Sequence, residues 1–260
     1  MSTFLFDSIV FGPVHSRRLG VSLGINLLPV NRKVCTFDCI YCECGWTARK
    51  EACVAPMPSR KEVYDALREK LISMKAAGKA PDVITYAGNG EPTMHPSFEE
   101  IVEDTVALRD EFFPKARISV LSNASNIHLE SVRRGLMKVD MNILKLDSAN
   151  PPTIKTLNNP NPSYDIEKIK LFMKMFNGRF IVQTMFVRGE YQGKSIDNTT
   201  PDEIAAWLDT INDLKPQSVM VYTIARDTPL GNKLTKVSSS ELEEIASMVT
   251  ALGIPVTVSA

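Results

Sequence analysis

The stretch CTFDCIYCECGWT, from Cys35 to Thr47, sets Cys35, Cys39 and Cys42 within eight residues, with Cys44 and Cys53 close behind. Thiolate sulfur is a soft ligand for zinc and iron, and where thiols stay reduced, grouped cysteines point to metal or redox chemistry rather than disulfides. A structural zinc site usually takes four ligands, often as two separated Cys-x-x-Cys pairs. The spacing here is C-x3-C-x2-C, with no second pair downstream. Three thiolates on an iron-sulfur cubane leave one iron without a protein ligand, open to a small molecule. On spacing alone, a zinc-holding binding module and a set of inert buried thiols remain competing readings. Cys44 and Cys53 are too few for a second cluster and receive no role.

Groups of this kind need a scaffold, and the composition allows one. A chain of 260 residues with 44% hydrophobic content is long enough to bury a sizeable core. Its 30 basic residues balance 30 acidic ones, so composition and charge point neither to disorder nor to electrostatic nucleic-acid binding. The N-terminal MSTFLFDSIVFG lacks a basic leader and is interrupted by Asp7, which speaks against a secretory signal. No run approaches the roughly 18 apolar residues of a membrane span, so a cytoplasmic protein is expected.

The chain has a rhythm. VSLGINLLP, DVITYA, RISVL, NILKL, FIVQTMFV and SVMVYTI read as six strands, separated by five stretches of helical period. Ser59 with Glu62, Thr200 with Glu203 and Ser240 with Glu243 each fit a capping box, and Pro201 suits a first helical position. Behind those caps lie apolar stripes such as Val63, Leu67, Leu71 and Met74, which are core faces. Parallel β-α units follow, an α/β fold. Periodicity does not choose between a barrel and an open doubly wound sheet, but both place ligands beyond the strand C-termini.

The second strand ends in YAGNGEPTMHP. Gly88 and Gly90 let backbone approach a ligand closely, and Glu91 offers a carboxylate to an ammonium group. Taken with CTFDCIYC, in which Tyr41 precedes the last cysteine, this resembles the signature of the radical S-adenosylmethionine superfamily. The resemblance extends along nearly the whole chain, through FGPVHSRRLGVSLGINLLP, QTMFVRG and DNTTPDE, to a less characterised branch of Fe-S oxidoreductases. It implies a partial (β/α)6 TIM-like barrel over residues 21–260, with residues 1–20 an N-terminal extension of the same single core domain.

The resemblance further implies one 4Fe-4S cluster on Cys35, Cys39 and Cys42, with S-adenosylmethionine on its open iron. Reductive cleavage of that cofactor gives a 5'-deoxyadenosyl radical that abstracts hydrogen from an unidentified substrate. Tyr41, Gly88, Asn89, Gly90 and Glu91 are implied to face S-adenosylmethionine, although Asn89 departs from the commonest glycine-glycine-glutamate form. Ser122 and Asn123 stand where relatives hold the ribose or the amino acid part. Lys145 and Asp147 resemble the pair used on its carboxylate and ribose hydroxyls. The implied partner is a low-potential electron donor such as a flavodoxin or ferredoxin. Within the superfamily the alternatives are a glycyl-radical-activating member or a tRNA-modifying enzyme of the wyosine type, whose additional cysteine set is absent here.

Several other residues are expected outside this constellation. His15, His95 and His128 read as loop or helix-surface residues. Arg17 and Arg18 in HSRRLG lie before the first barrel strand, where they could hold an anionic substrate or face solvent. The segment RGEYQGKSIDNTT, from Arg188 to Thr200, exceeds the usual length of a β-α connection and is expected to form a mobile lid hinged at Gly189 and Gly193.

Overall fold

A computed structural model of the chain describes residues 4–16, 18–47 and 56–260. Arg17 and Cys53 lie outside the described residues. In chain order the elements are β1 (Val10–Ser16), β2 (Gly20–Ile25), α1 (Arg60–Ala76), β3 (Val83–Tyr86), α2 (Phe98–Phe112), β4 (Arg117–Ser122), α3 (Glu130–Met137) and β5 (Met141–Lys145). Then come α4 (Pro151–Leu157), α5 (Ile166–Lys174), β6 (Ile181–Met185), β7 (Val187–Tyr191), β8 (Lys194–Asp197) and α6 (Pro201–Leu214). β9 (Ser218–Tyr222), β10 (Leu234–Lys236), α7 (Ser239–Ala251) and β11 (Val256–Ser259) complete the order.

The main sheet runs β1-β2-β3-β4-β5-β6-β9-β11, with every pair parallel except β1-β2. It is the curled half-barrel that the resemblance implies, built on the six strand segments and extended by two strands that had no clear signal: antiparallel β1 at one edge and parallel β11 at the other. The inner strands β3, β4, β5, β6 and β9 are buried on both sides, which is why they read as nearly continuous apolar runs. Alternate side chains separate two cores. Ile84, Tyr86, Ile118, Val120, Leu144 and Val182 meet the surrounding helices, while Leu19, Val83, Met141, Ile143, Ile181 and Met220 fill the concave face.

Local chemistry fixes the helix starts. Ser59 and Glu62 form the reciprocal capping box on α1. Thr200 accepts from the Glu203 amide, but the Glu203 carboxylate turns inward to Ser148, Asn150 and Thr153 rather than back to the cap. The α7 box is formed by Ser238 and Glu241, two residues before the expected pair, because the serine run offers the same Ser-x-x-Glu spacing twice. The connection between β5 and β6 holds two helices, α4 and α5.

The segment from Arg188 to Thr200 is a hairpin, β7-β8, joined by β10 into a small second sheet. Arg188 pairs with Asp197 at 2.9 Å and Glu241 at 2.7 Å, so its charge ties the hairpin to α7. Gly189 is no hinge: a Cβ there would collide with the Lys233 backbone, so glycine is what lets β10 lie close. Val187, Ile196 and Leu234 pack in one cluster with Phe37, Ile40 and Tyr41, making the hairpin a wall behind the cysteine loop. Among the described residues, no helix is long and apolar enough to cross a membrane.

Candidate active site

The cysteines lie in the long connection from β2 to α1, and backbone bonds from two sides hold it over the strand C-termini. The Val34 amide donates to the Asn89 carbonyl at 2.8 Å, and the Glu91 amide donates to the Val34 carbonyl at 3.1 Å. On the other side, the Asp38 and Ile40 amides donate to the Asn158 and Leu157 carbonyls, both at 2.9 Å. Gly90 is required by this seam. Its φ of +138° lies outside the range that side chains favour, and a Cβ would strike the Val34 carbonyl.

One cavity of about 270 Å³ collects Cys35, Cys39, Cys42 and Cys44 with Tyr41, Gly88, Gly90, Glu91, Ser122, Asn123 and Lys145. Residues spread over more than a hundred positions of sequence thus meet at the ends of β2, β3, β4 and β5. Among the described residues, no three Cys, His, Asp or Glu side chains converge as a single metal ion requires.

The sulfurs are already hydrogen-bonded. The Phe37 amide and Asn123 Nδ2 approach Cys35 Sγ at 3.4 and 3.5 Å, and Asn158 Nδ2 approaches Cys39 Sγ at 3.4 Å. Burial pushes the Cys35 and Cys39 thiols up. Cys42 is lowered to about 6, first by the hydrogen bond with Cys44 and then, against burial, by the Lys33 charge. Lys33 was not evident from sequence. Its side chain is 1% exposed and donates to the Gly45 carbonyl at 2.9 Å, with Asp38 at 3.3 Å. Burial alone would lower its ammonium, but the three thiols and Asp38 hold it above the usual value. A buried cation thus lies beside the sulfurs, where a cluster's negative thiolates need it.

Glu91 is the most constrained carboxylate. Oε1 accepts from the Thr93 amide at 3.1 Å, the Thr93 hydroxyl at 2.6 Å and the Ser122 hydroxyl at 2.8 Å, while Oε2 accepts from the Asn123 amide at 2.7 Å. Burial raises its pKa and these bonds oppose the rise. Oε2, with one protein donor, retains acceptor capacity toward the cavity. Ser122 and Asn123 therefore act first on Glu91 and on the cysteine loop, where Asn123 Nδ2 also donates to Thr36 Oγ1 at 2.8 Å.

Two expected residues are turned away. Asp147 is fully buried beneath Tyr41: it accepts from the Tyr41 hydroxyl, from Asn158 Nδ2 at 2.6 Å and from the Met185 amide at 2.9 Å. It does not line the cavity. Lys145 does line it, donating to Tyr41 Oη at 3.0 Å, 3.6 Å from Asp147. Asn89 also faces away. Its side chain accepts from the Phe6 amide and donates to the Phe6 and Pro29 carbonyls, each at 2.9 Å, lashing the N-terminal extension to the strand end. Asn89→Ala is therefore expected to lower stability by ~1–3 kcal/mol through the orphaned Pro29 and Phe6 groups, with cofactor affinity unchanged, as denaturant titration and calorimetry would read.

His95 is buried, not exposed, with Nε2 2.7 Å from the Pro58 carbonyl, whereas His128 is a surface residue and His15 an exposed position of β1. Asn158, which touches Cys39, Tyr41 and Asp147, had no local signal; only the fold brings it to the cysteines.

The radical SAM superfamily model matches residues 33–197, from Lys33 beside the cysteines to the end of the hairpin. A UPF0026 protein of Helicobacter pylori is 31% identical over 238 residues, covering 90% of this chain and 71% of that protein. A Brachyspira hyodysenteriae protein described as GTPase Obg is 29% identical over 239 residues, 90% of this chain but 32% of that protein. The chain thus spans about a third of the length of that relative. Among solved structures, a radical SAM methyltransferase from Sphaerobacter thermophilus superposes with a TM-score of 0.64 at 14% identity, covering 92% of this chain and 65% of the other. The family-model match spans the cysteine triad, the Gly88–Glu91 turn and strands β3 to β6 of the half-barrel, and the chain belongs to the radical SAM superfamily, whose cofactors are a 4Fe-4S cluster and S-adenosylmethionine, and to its UPF0026 branch.

Proposed function

We propose that this chain is a radical S-adenosylmethionine enzyme acting through one core domain, with Cys35, Cys39 and Cys42 as the cluster ligands. The observation that carries the reading is the shared cavity: three thiols, a buried cation at Lys33 and a carboxylate at Glu91 face one another at the strand C-termini. When bound, the two cofactors supply a 5'-deoxyadenosyl radical able to abstract hydrogen from substrate, given an electron from a low-potential donor such as a flavodoxin or ferredoxin.

The chain's own part is to hold, orient and exclude. Amide donors on Cys35 and Cys39 stabilise thiolate charge, and Lys33 offsets the charge that remains. The free acceptor capacity of Glu91 Oε2 suits the ammonium of the amino acid part, and the Lys145 ammonium suits its carboxylate. Burial holds the Lys145 charge down, but Asp147 and Tyr222 together raise its pKa, so it stays cationic. Tyr41, fixed by Asp147 and Asn158, closes the cavity beside Cys42, and Met185 adds an apolar wall. Apolar walls of this kind limit water at the reacting centre and so disfavour side reactions.

Anaerobic loading with iron and sulfide tests the reading. About four irons per chain and a brown colour are expected, as for one cubane. A colourless protein that retains stoichiometric zinc under the same conditions overturns it.

A further inference from the structure

Arg18 enters the site from the wrong end. It sits between β1 and β2, among residues at the N-terminal ends of the strands such as Gly20, Asp82 and Arg117, yet its side chain also lines the cavity at their C-terminal ends. It therefore reaches up the concave face toward the cysteine loop.

Three observations say what it waits for. Its guanidinium carbon lies 4.4 Å from the Tyr222 ring centroid, a cation-π contact that fixes the side chain at the end of β9. Lys145 Nζ stands 6.0 Å from the same ring and 3.4 Å from its hydroxyl, so two cations share one aromatic wall. Arg18 Nη1 is buried with no hydrogen-bond partner, and among the described residues no carboxylate pairs with the guanidinium.

The nearby acids are already engaged. Glu91 is held by Thr93, Ser122 and Asn123; Asp147 is held by Tyr41, Asn158 and Met185; Glu43 pairs with Arg226 at 2.8 Å. A buried guanidinium donor left unmade is costly, and a planar fork is matched best by a carboxylate or phosphate. Gln183, from neighbouring β6, lines the same cavity and adds amide polarity to it.

Resting on the radical-enzyme reading, which makes this cavity the place where substrate meets the cofactors, we infer that Arg18 binds an oxyanion of the substrate. The substrate is thus an anionic molecule, or a group bearing a carboxylate or phosphate, anchored from beneath while Lys145 and Glu91 serve S-adenosylmethionine. Arg18 is the residue that selects the substrate's charge.

The test is calorimetric titration of cluster-loaded protein, with and without S-adenosylmethionine, using inorganic phosphate and acetate separately at an ionic strength held constant with chloride. At least one anion is expected to bind saturably with one site per chain, the tighter of the two naming the source. Arg18→Met should weaken it by about tenfold to a hundredfold, the loss of one or two charge-assisted bonds. Arg18→Lys keeps the charge without the fork and should fall between, which covers a methionine variant that fails to fold by circular dichroism. Affinity for S-adenosylmethionine should stay within about twofold of wild type, well under one decade. No saturable binding of either anion, equal binding by both folded variants, or a matching loss of S-adenosylmethionine affinity would each overturn the assignment. The titration needs no bond cleavage. A protein that cleaves nothing but binds anions through Arg18 removes the radical reading alone, and an active one indifferent to Arg18 removes only this inference.

Discussion

Alanine at Cys35, Cys39 or Cys42 is expected to abolish iron-sulfur loading and, with it, all 5'-deoxyadenosine formation, whereas Cys44→Ala keeps iron content near that of the unaltered protein. The difference rests on spacing. The first three cysteines form the C-x3-C-x2-C set, while Cys44 lies two residues on and turns its thiol to the Gly88 carbonyl at 3.3 Å. A cubane with two protein thiolates has two irons to satisfy from solvent, so the loss should be close to complete rather than graded. Iron and sulfide analysis of anaerobically loaded variants decides it. A Cys44 variant without cluster would mean that the structure presents the wrong three ligands.

Glu91→Gln is expected to leave iron content intact but weaken S-adenosylmethionine binding by about one to two decades, the worth of a charge-assisted hydrogen bond of ~1.5–3 kcal/mol. The structure adds a second consequence. All four protein groups around Glu91 are donors, so the glutamine amide would set its own N–H toward one of them. A drop in thermal midpoint should accompany the weaker binding. Affinity that is unchanged while the midpoint falls would make Glu91 a brace for the turn alone.

The contrast between Glu91 and its neighbour Asn89 shows where sequence ceases to be informative. Both lie in one four-residue motif and both were expected to face the cofactor, yet the turn through Gly90, with its φ of +138°, puts Glu91 in the cavity and Asn89 against Phe6 and Pro29. Lys145 and Asp147 divide in the same way: Lys145 ends β5 on the concave face, and Asp147 lies beyond the strand, beneath Tyr41. The motif names the turn, while the loop geometry chooses the faces.

Strands were legible because parallel strands buried on both sides need long apolar runs, as in VITY and SVMVY. β11 was not, because VTVS alternates apolar with polar residues and is only partly buried at a sheet edge. The hairpin was obscured by its charges, which in the fold pair with one another and with α7 instead of keeping a free loop in solution. Lys33 and Asn158 could not be found locally at all. Their value comes from meeting the sulfurs, and Asn158 is separated from Cys39 by 119 positions.

The most direct test of the central claim is to reduce the loaded protein anaerobically with dithionite, add S-adenosylmethionine and measure 5'-deoxyadenosine. Formation of 5'-deoxyadenosine that requires reduction and disappears with Cys39→Ala is the predicted result. A fully loaded, reduced protein that binds S-adenosylmethionine yet yields no 5'-deoxyadenosine above the Cys39→Ala background would contradict it.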